Sequence, residues 1–395
     1  MLSDSEFSKR SQAVLPSATL AVSKKAKELK AAGEAVINLG MGEPDFETPE
    51  PIAEAAIKAI RSGKTSFYTP VGGTLGLRTG ITQLTKELTG QSLNVNQVTV
   101  ATGAKMALYA LNQILINPGD LVVSAKPFWV SYAEQVHLAE GEFQAIGDAQ
   151  SGKLTVEALE ELDRLPKLII LNNPTNPSGL LYRKEELLAL LEWAEKHDVF
   201  LIVDEIYGRL VYNGATFTSV LSLRELSNSK LIVVDGVSKS YSMTGWRIGW
   251  ALADETLIKQ LNKVLGHMTS GPTAAAQAAA EAAVTGDQGV VEAIRLTFQE
   301  RLNWTYDQLE AIDGLTLAAK PEGAFYFFIK IDKAVLDRIG LSSSAAFAEK
   351  LLDVEKVALP AGEGFGMPGY LRLSYAQNQA SIDEAIARIK RFIQE

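Results

Sequence analysis

Short apolar runs near residues 98–101, 121–124, 168–171, 200–203, 231–234 and 248–252 alternate with helical patterns over 104–115, 184–197, 254–265 and 274–284. Nothing else in the chain restricts its fold as much. Runs of four or five residues rich in Val, Ile and Leu read as strands buried on both faces. Their alternation with helices predicts an α/β protein built on a mostly parallel sheet. Open sheets of that kind bind ligands beyond the carboxyl ends of their strands. The residues that follow each run are therefore where chemistry is expected.

Asp204 closes the run Phe200–Val203, and Tyr207 follows three positions later. The run Leu231–Val234 leads into Gly236-Val237-Ser238-Lys239, and Arg247 lies eight positions further, inside Thr244-Gly245-Trp246-Arg247-Ile248-Gly249. An acid, a phenol, a lysine and an arginine thus converge on one sheet edge. Lysine forms Schiff bases with carbonyl cofactors, of which pyridoxal phosphate is the usual one. Beside such a ring Asp204 suits the protonated pyridine nitrogen and Tyr207 the phenolic oxygen. Ser238 and Arg247 suit the phosphate, the arginine as a planar fork of donors. Taken singly, each residue also fits a loop cap or a solvated surface position; the ordered set carries the reading.

Asp204-Glu205-Ile206-Tyr207, Ser238-Lys239 and Thr244–Gly249 resemble the signature of the class I aminotransferases, the aspartate aminotransferase family of fold-type I pyridoxal-phosphate enzymes. Matching blocks run from about residue 12 to about residue 376, and the nearest pattern is that of the bacterial-type aspartate and aspartate/prephenate aminotransferases. The resemblance implies a large domain over 46–294, with a mostly parallel seven-stranded sheet between helices. It also implies a small α/β domain made of 1–45 with 295–395.

The resemblance also implies roles for individual residues. Lys239 would hold the cofactor and then carry a proton from the substrate α-carbon, with Asp204 and Tyr207 as its catalytic companions. Gly103, Ala104 and Lys105 sit where a strand meets a helix, and free amides at a helix N-terminus make a cradle for the cofactor phosphate. Trp129 would stack on the ring and Asn176 would donate to its phenolic oxygen, both also touching substrate. Tyr68 would reach the phosphate of the neighbouring subunit, which implies a homodimer with active sites at the interface. Arg372 would clamp the substrate α-carboxylate in a bidentate fork, with the Gly42 amide beside it. Ser17, Thr19 and Lys105 would read a distal carboxylate.

The expected reaction is therefore L-aspartate plus 2-oxoglutarate giving oxaloacetate plus L-glutamate, by a ping-pong mechanism. Prephenate, aromatic or alanine transamination on the same scaffold is the alternative, although Leu15 stands where many prephenate-using relatives carry a basic residue. A carbon–sulfur lyase is a further alternative. A cofactor-sensing regulator is disfavoured, because the family pattern starts by about residue 12 and leaves no place for an N-terminal DNA-binding domain.

Composition narrows the remaining classes. A formal charge of −9 does not favour nucleic-acid or anionic-membrane partners. The absence of cysteine excludes disulfides and thiol catalysis, and is compatible with the cytoplasm, the expected location. No window approaches 18 uninterrupted apolar residues, and Met1–Arg10 lacks the apolar core of a signal peptide. Gly147–Leu154 nearly spells a phosphate loop, but Leu154 stands where the Mg²⁺-binding Ser or Thr belongs. Histidines 137, 197 and 267 lack metal-ligand spacing, so no metal is expected. Ser381-Ile382-Asp383-Glu384 reads as a capping box opening a last helix over 381–393.

Overall fold

A computed structural model describes residues 3, 6–147, 152–317 and 319–394 of the chain. The strands are β1 (Ile37–Asn38), β2 (Val98–Ala101), β3 (Leu121–Ala125), β4 (Glu142–Ile146), β5 (Leu168–Asn172), β6 (Phe200–Asp204), β7 (Leu231–Gly236), β8 (Gly249–Leu252), β9 (Leu315–Leu317), β10 (Tyr326–Ile331), β11 (Val357–Ala358) and β12 (Tyr370–Ser374). Seven of them form one sheet in the order β2-β8-β7-β6-β5-β3-β4. Only β8 runs against the others. The expected α/β architecture with a mostly parallel seven-stranded sheet is therefore what forms.

The apolar runs are continuous because both faces of the sheet are covered. Leu168 and Ile170 point to one side and pack with Ala107, Leu108 and Leu111 of the helix Ala104–Leu115. Ile169 and Leu171 point to the other, toward Leu187 and Leu191 of the helix Lys184–Lys196. A strand buried on one face alone would have shown period-two alternation instead. β4 departs from this rule and was not among the runs read from the sequence. It is an edge strand with Glu142 and Gln144 on its solvent side, and charge at an edge is how sheets avoid pairing with other chains.

A second unit is built around the antiparallel sheet β12-β10-β9 and the two-stranded parallel pair β1-β11. Phe298, Phe325, Phe327, Phe347 and Tyr375 fill its core, closed by the helices Gly289–Glu310, Ser344–Glu355 and Gln379–Gln394. The capping box expected at Ser381 does not form. The last helix starts earlier, at Gln379, and the Asn378 side chain accepts from the Ser381 amide at 2.9 Å. Asn caps as well as Ser does, and Asn378 precedes the first turn, so Ser381 lies inside the helix and Glu384 pairs with Arg388 instead.

Four residues of the phosphate-loop look-alike, Asp148–Ser151, lie outside the described residues. Among the described residues no helix is long and apolar enough to cross a membrane, and no group of three or more His, Asp or Glu side chains is placed to hold a metal ion.

Candidate active site

Six strands of the large sheet point their carboxyl ends the same way, and the segments leaving them wall a cavity of about 430 Å³. β6 ends on Asp204 and delivers Tyr207 one turn later. β7 leads to Ser238 and Lys239, β5 to Asn172 and Asn176, β3 to Trp129, and β2 to the helix that opens at Ala104. The opposite wall comes from the second unit: Gly40, Met41 and Gly42 after β1, Tyr326 of β10 and Arg372 of β12. Gly42, Ala104, Lys105, Trp129, Asn176, Asp204, Tyr207, Ser238, Lys239, Arg247, Arg372 and Thr19 all line this space. Ser17 sits just behind it, its hydroxyl 3.0 Å from that of Thr19. Tyr68 is not part of its own chain's cavity and stands 96% exposed.

Lys239 reaches across the cavity and donates to the Gly42 carbonyl at 2.6 Å. Desolvation lowers its amine from the ordinary 10.5 to about 8. Glu43 opposes that shift, while Arg372 and Arg247 add to it. A free amine is thereby accessible near neutral pH, as a nucleophile or proton acceptor requires. Asp204 is buried, and burial pushes its carboxyl up from 3.8 to about 6. Hydrogen bonds from the Tyr132 hydroxyl (2.8 Å) and the Ile206 amide (3.2 Å), and the nearby Lys239, hold it down. A buried carboxylate with no cation in contact is suited to one that arrives with a ligand.

Arg372 is the most telling group. It is 3% exposed, and no carboxylate among the described residues pairs with it. Its Nη1 donates to Asn176 Oδ1 at 3.0 Å and its Nη2 to the Gly40 carbonyl at 2.7 Å, while its buried Nε has no partner among the described residues. The guanidinium lies over the rings of Tyr326 (4.5 Å) and Phe365 (5.0 Å). A buried cation left without a counter-ion is costly, so its place in the wall fits an anionic ligand.

At the other end, Gly103 has φ +84°, a conformation that a side chain rarely adopts, and a Cβ there would strike the Arg247 guanidinium. A Cβ at Gly249 would likewise meet the backbone of Gly103 and Ala104. Two glycines therefore let Arg247 close on the N-terminus of the helix Ala104–Leu115. The first amides of a helix have no partner within it, and Ala104, where this helix opens, lines the cavity together with Ser238 and Arg247. The donor set, two cations, a buried carboxylate and a lysine of lowered pKa fit a phosphorylated pyridine aldehyde in both charge and order. Lys105 stands at the mouth with its ammonium 4.9 Å from the Trp129 ring. Desolvation, and secondarily Arg247, draw its pKa below the usual lysine value.

Four residues of the site were not singled out from the sequence. Tyr132, three residues beyond Trp129, donates to Asp204. Tyr326 bonds the Tyr207 hydroxyl at 2.9 Å. Asn172 receives the Asn176 amide at 2.7 Å and donates to the Asp204 carbonyl at 2.9 Å. Gly40 supplies the carbonyl to Arg372. A tyrosine in an apolar run reads as core, and only the pairing of β10 with β12 shows what it touches.

The family model for aminotransferase class I and II matches residues 34–389. An asparagine–oxo-acid transaminase of Streptococcus mutans is 44% identical over 393 residues, covering 99% of this chain and 100% of the relative. An aspartate aminotransferase of Bacillus subtilis is 42% identical, covering 99% of each chain. The crystal structure of the aspartate aminotransferase from Rhizobium meliloti superposes with a TM-score of 0.91 at 35% identity, covering 98% of each chain. With the site geometry and matches that span nearly its whole length, the chain belongs to the class I and II aminotransferase family.

Proposed function

We propose that this aminotransferase works on dicarboxylic substrates, taking the amino group of L-aspartate and passing it to 2-oxoglutarate. The observation that carries this reading is the buried, unpaired Arg372, set across one cavity from Lys239 and from the Lys105–Thr19–Ser17 corner. Arg372 binds the α-carboxylate through its fork. A distal carboxylate then meets the Lys105 ammonium and the two hydroxyls.

Pyridoxal phosphate, the cofactor this family implies, supplies an aldehyde that captures the amino group and a ring that accepts electrons from the substrate α-carbon. Gly103, Ala104, Ser238 and Arg247 hold its phosphate. Trp129 covers the ring, and Asn176 and Tyr207 face the phenolic oxygen. Asp204, as a carboxylate above about pH 6, holds a proton on the pyridine nitrogen. Lys239 would anchor the cofactor covalently, and its amine, once free, would move the substrate's α-proton.

Tyr68 completes the phosphate site of a partner subunit in a homodimer. Its 96% exposure and the 76% exposure of adjacent Phe67 support that role, since the two leave a bare aromatic surface that a partner can cover. The chain divides into a large domain, 46–294, and a small one, 1–45 with 295–395. Leu39 packs in one core with residues 298–393, which supports the division, and Ile206, Tyr207, Leu210 and Tyr212 of the large domain pack against that core where the two meet.

One feature favours asparagine as a second donor. The Ser17 and Thr19 hydroxyls are neutral and bond a side-chain amide as readily as a carboxylate. The Streptococcus mutans relative bears that activity in its name.

The test is Lys105→Ala with aspartate and alanine compared. Loss of a charge-assisted bond to the distal carboxylate lowers kcat/KM for aspartate about 10- to 100-fold and leaves alanine within about twofold. Equal losses for both sink the distal-carboxylate reading.

A further inference from the structure

Tyr326 is wholly buried and lines the cavity. On β10 it pairs with Ser374, while Arg372 pairs with Phe328, so Tyr326 and Arg372 are diagonal neighbours on one face of the small sheet. That register puts the Arg372 guanidinium 4.5 Å over the tyrosine ring. The ring then carries its hydroxyl to 2.9 Å from that of Tyr207, the two rings meeting edge-on at 84°. A Cβ on residue 42 would collide with the same oxygen, so Gly42 leaves the space that Tyr326 fills.

Hydrogen-bond accounting assigns a direction. Each phenol has one proton to give. The Asn176 amide, 3.4 Å from the Tyr207 oxygen, can only donate to it. The Tyr207–Tyr326 bond by itself permits either direction. Once an acceptor stands before Tyr207, the single Tyr207 proton goes to that acceptor. The Tyr207 oxygen must then receive from Tyr326. A donor that is itself accepting is a stronger donor, because the bonds polarise one another.

We propose that Tyr326 is a positioning residue with two separable parts: its hydroxyl aims the Tyr207 proton at the cofactor's phenolic oxygen, and its ring steadies Arg372 for the substrate carboxylate. This rests on the cofactor site proposed above. The anionic form of the phenolic oxygen is stabilised by Tyr207, and more so when Tyr326 backs it. Without that backing the anion forms at higher pH. The carboxylate clamp depends on the ring and not on the hydroxyl.

Three variants loaded with pyridoxal phosphate separate the parts: Tyr326→Phe, Tyr326→Leu and Tyr207→Phe. Two properties are read that do not depend on turnover, the pH midpoint of the bound cofactor's visible absorption and the affinity for succinate, a dicarboxylate without an amino group. Tyr326→Phe raises the midpoint by about half a unit, a fraction of one hydrogen bond's worth, and leaves succinate affinity within about twofold. Tyr207→Phe raises the midpoint further. Tyr326→Leu weakens succinate about tenfold, in keeping with a desolvated cation–π contact.

An unmoved or lowered midpoint in Tyr326→Phe, beside a raised one in Tyr207→Phe, overturns the hydroxyl's role. Unchanged succinate affinity in Tyr326→Leu overturns the ring's role. If Tyr207→Phe also leaves the midpoint in place, the failure lies with the cofactor site itself.

Discussion

Lys239 differs from the other lysines of this chain less in its neighbours than in its desolvation, which outweighs the opposing pull of Glu43. The sign of the effect is definite. With its pKa brought from 10.5 to about 8, the free amine is present at lower pH than on an ordinary lysine. The rate at which cofactor-free protein captures pyridoxal phosphate therefore rises with pH, has its midpoint near pH 8 and is flat above about 9. A rate still climbing at about pH 10, followed by stopped-flow absorbance, contradicts this. Arg372→Lys replaces a planar fork by a point charge that cannot keep both the Asn176 and Gly40 bonds and a carboxylate. KM for the amino acid rises about 100-fold, an energy typical of a charged hydrogen bond, while kcat falls less. A KM within about threefold of the parent shows that the carboxylate binds elsewhere. Lys239, Asp204 and Arg247 stood out in the sequence because their types and spacing are unusual together, whereas Arg372 was reached only through the family resemblance. Tyr132 and Tyr326 were not, since nothing in a linear pattern says which buried phenol faces Asp204 or Tyr207.

At the scale of elements, the central strands announce themselves because they are buried on both faces. The edge strand Glu142–Ile146 does not, being half solvated. Helix bodies follow from periodicity, whereas helix ends depend on which of several nearby capping residues wins. At the last helix Asn378 wins over Ser381. Asn378→Ala is expected to cost about 1 kcal/mol by chemical denaturation and Ser381→Ala less than about 0.5. The reverse order restores Ser381 as the cap. The contact between β8 and the helix Ala104–Leu115 is backbone against backbone at Gly249, so no rotamer change relieves an added methyl. Gly249→Ala destabilises the fold by about 1–3 kcal/mol and, by shifting the helix N-terminus, weakens pyridoxal phosphate binding as well. Calorimetry of the cofactor-free and loaded forms separates the two effects. A variant as stable as the parent, with parental cofactor affinity, rules out the close approach.

Across the whole molecule, the cavity needs both units, since Lys239 and Asp204 come from the large sheet and Arg372 and Tyr326 from the small one. A third contribution, Tyr68, belongs to a partner subunit if the dimer reading holds. Mixing Tyr68→Ala with Lys239→Ala subunits then yields heterodimers with one intact site, and activity rises above that of either parent. Activity no greater than the average of the two parents argues against shared sites. The α/β architecture and the placement of chemistry at one sheet edge were readable from the order of apolar runs. The join between the units was not, because it rests on contacts such as Arg372 to Asn176, 196 residues apart. Substrate choice, the central proposal, is decided by one measurement: single-turnover reaction of the cofactor-loaded protein with aspartate, glutamate, asparagine, alanine and phenylalanine, followed by cofactor absorbance. A cavity lined by Arg372, Lys105 and Thr19, with Ser17 beside Thr19, predicts that aspartate and glutamate react fastest, by a wide margin over alanine and phenylalanine. Faster reaction of alanine or phenylalanine would leave the aminotransferase chemistry standing and contradict the dicarboxylate site.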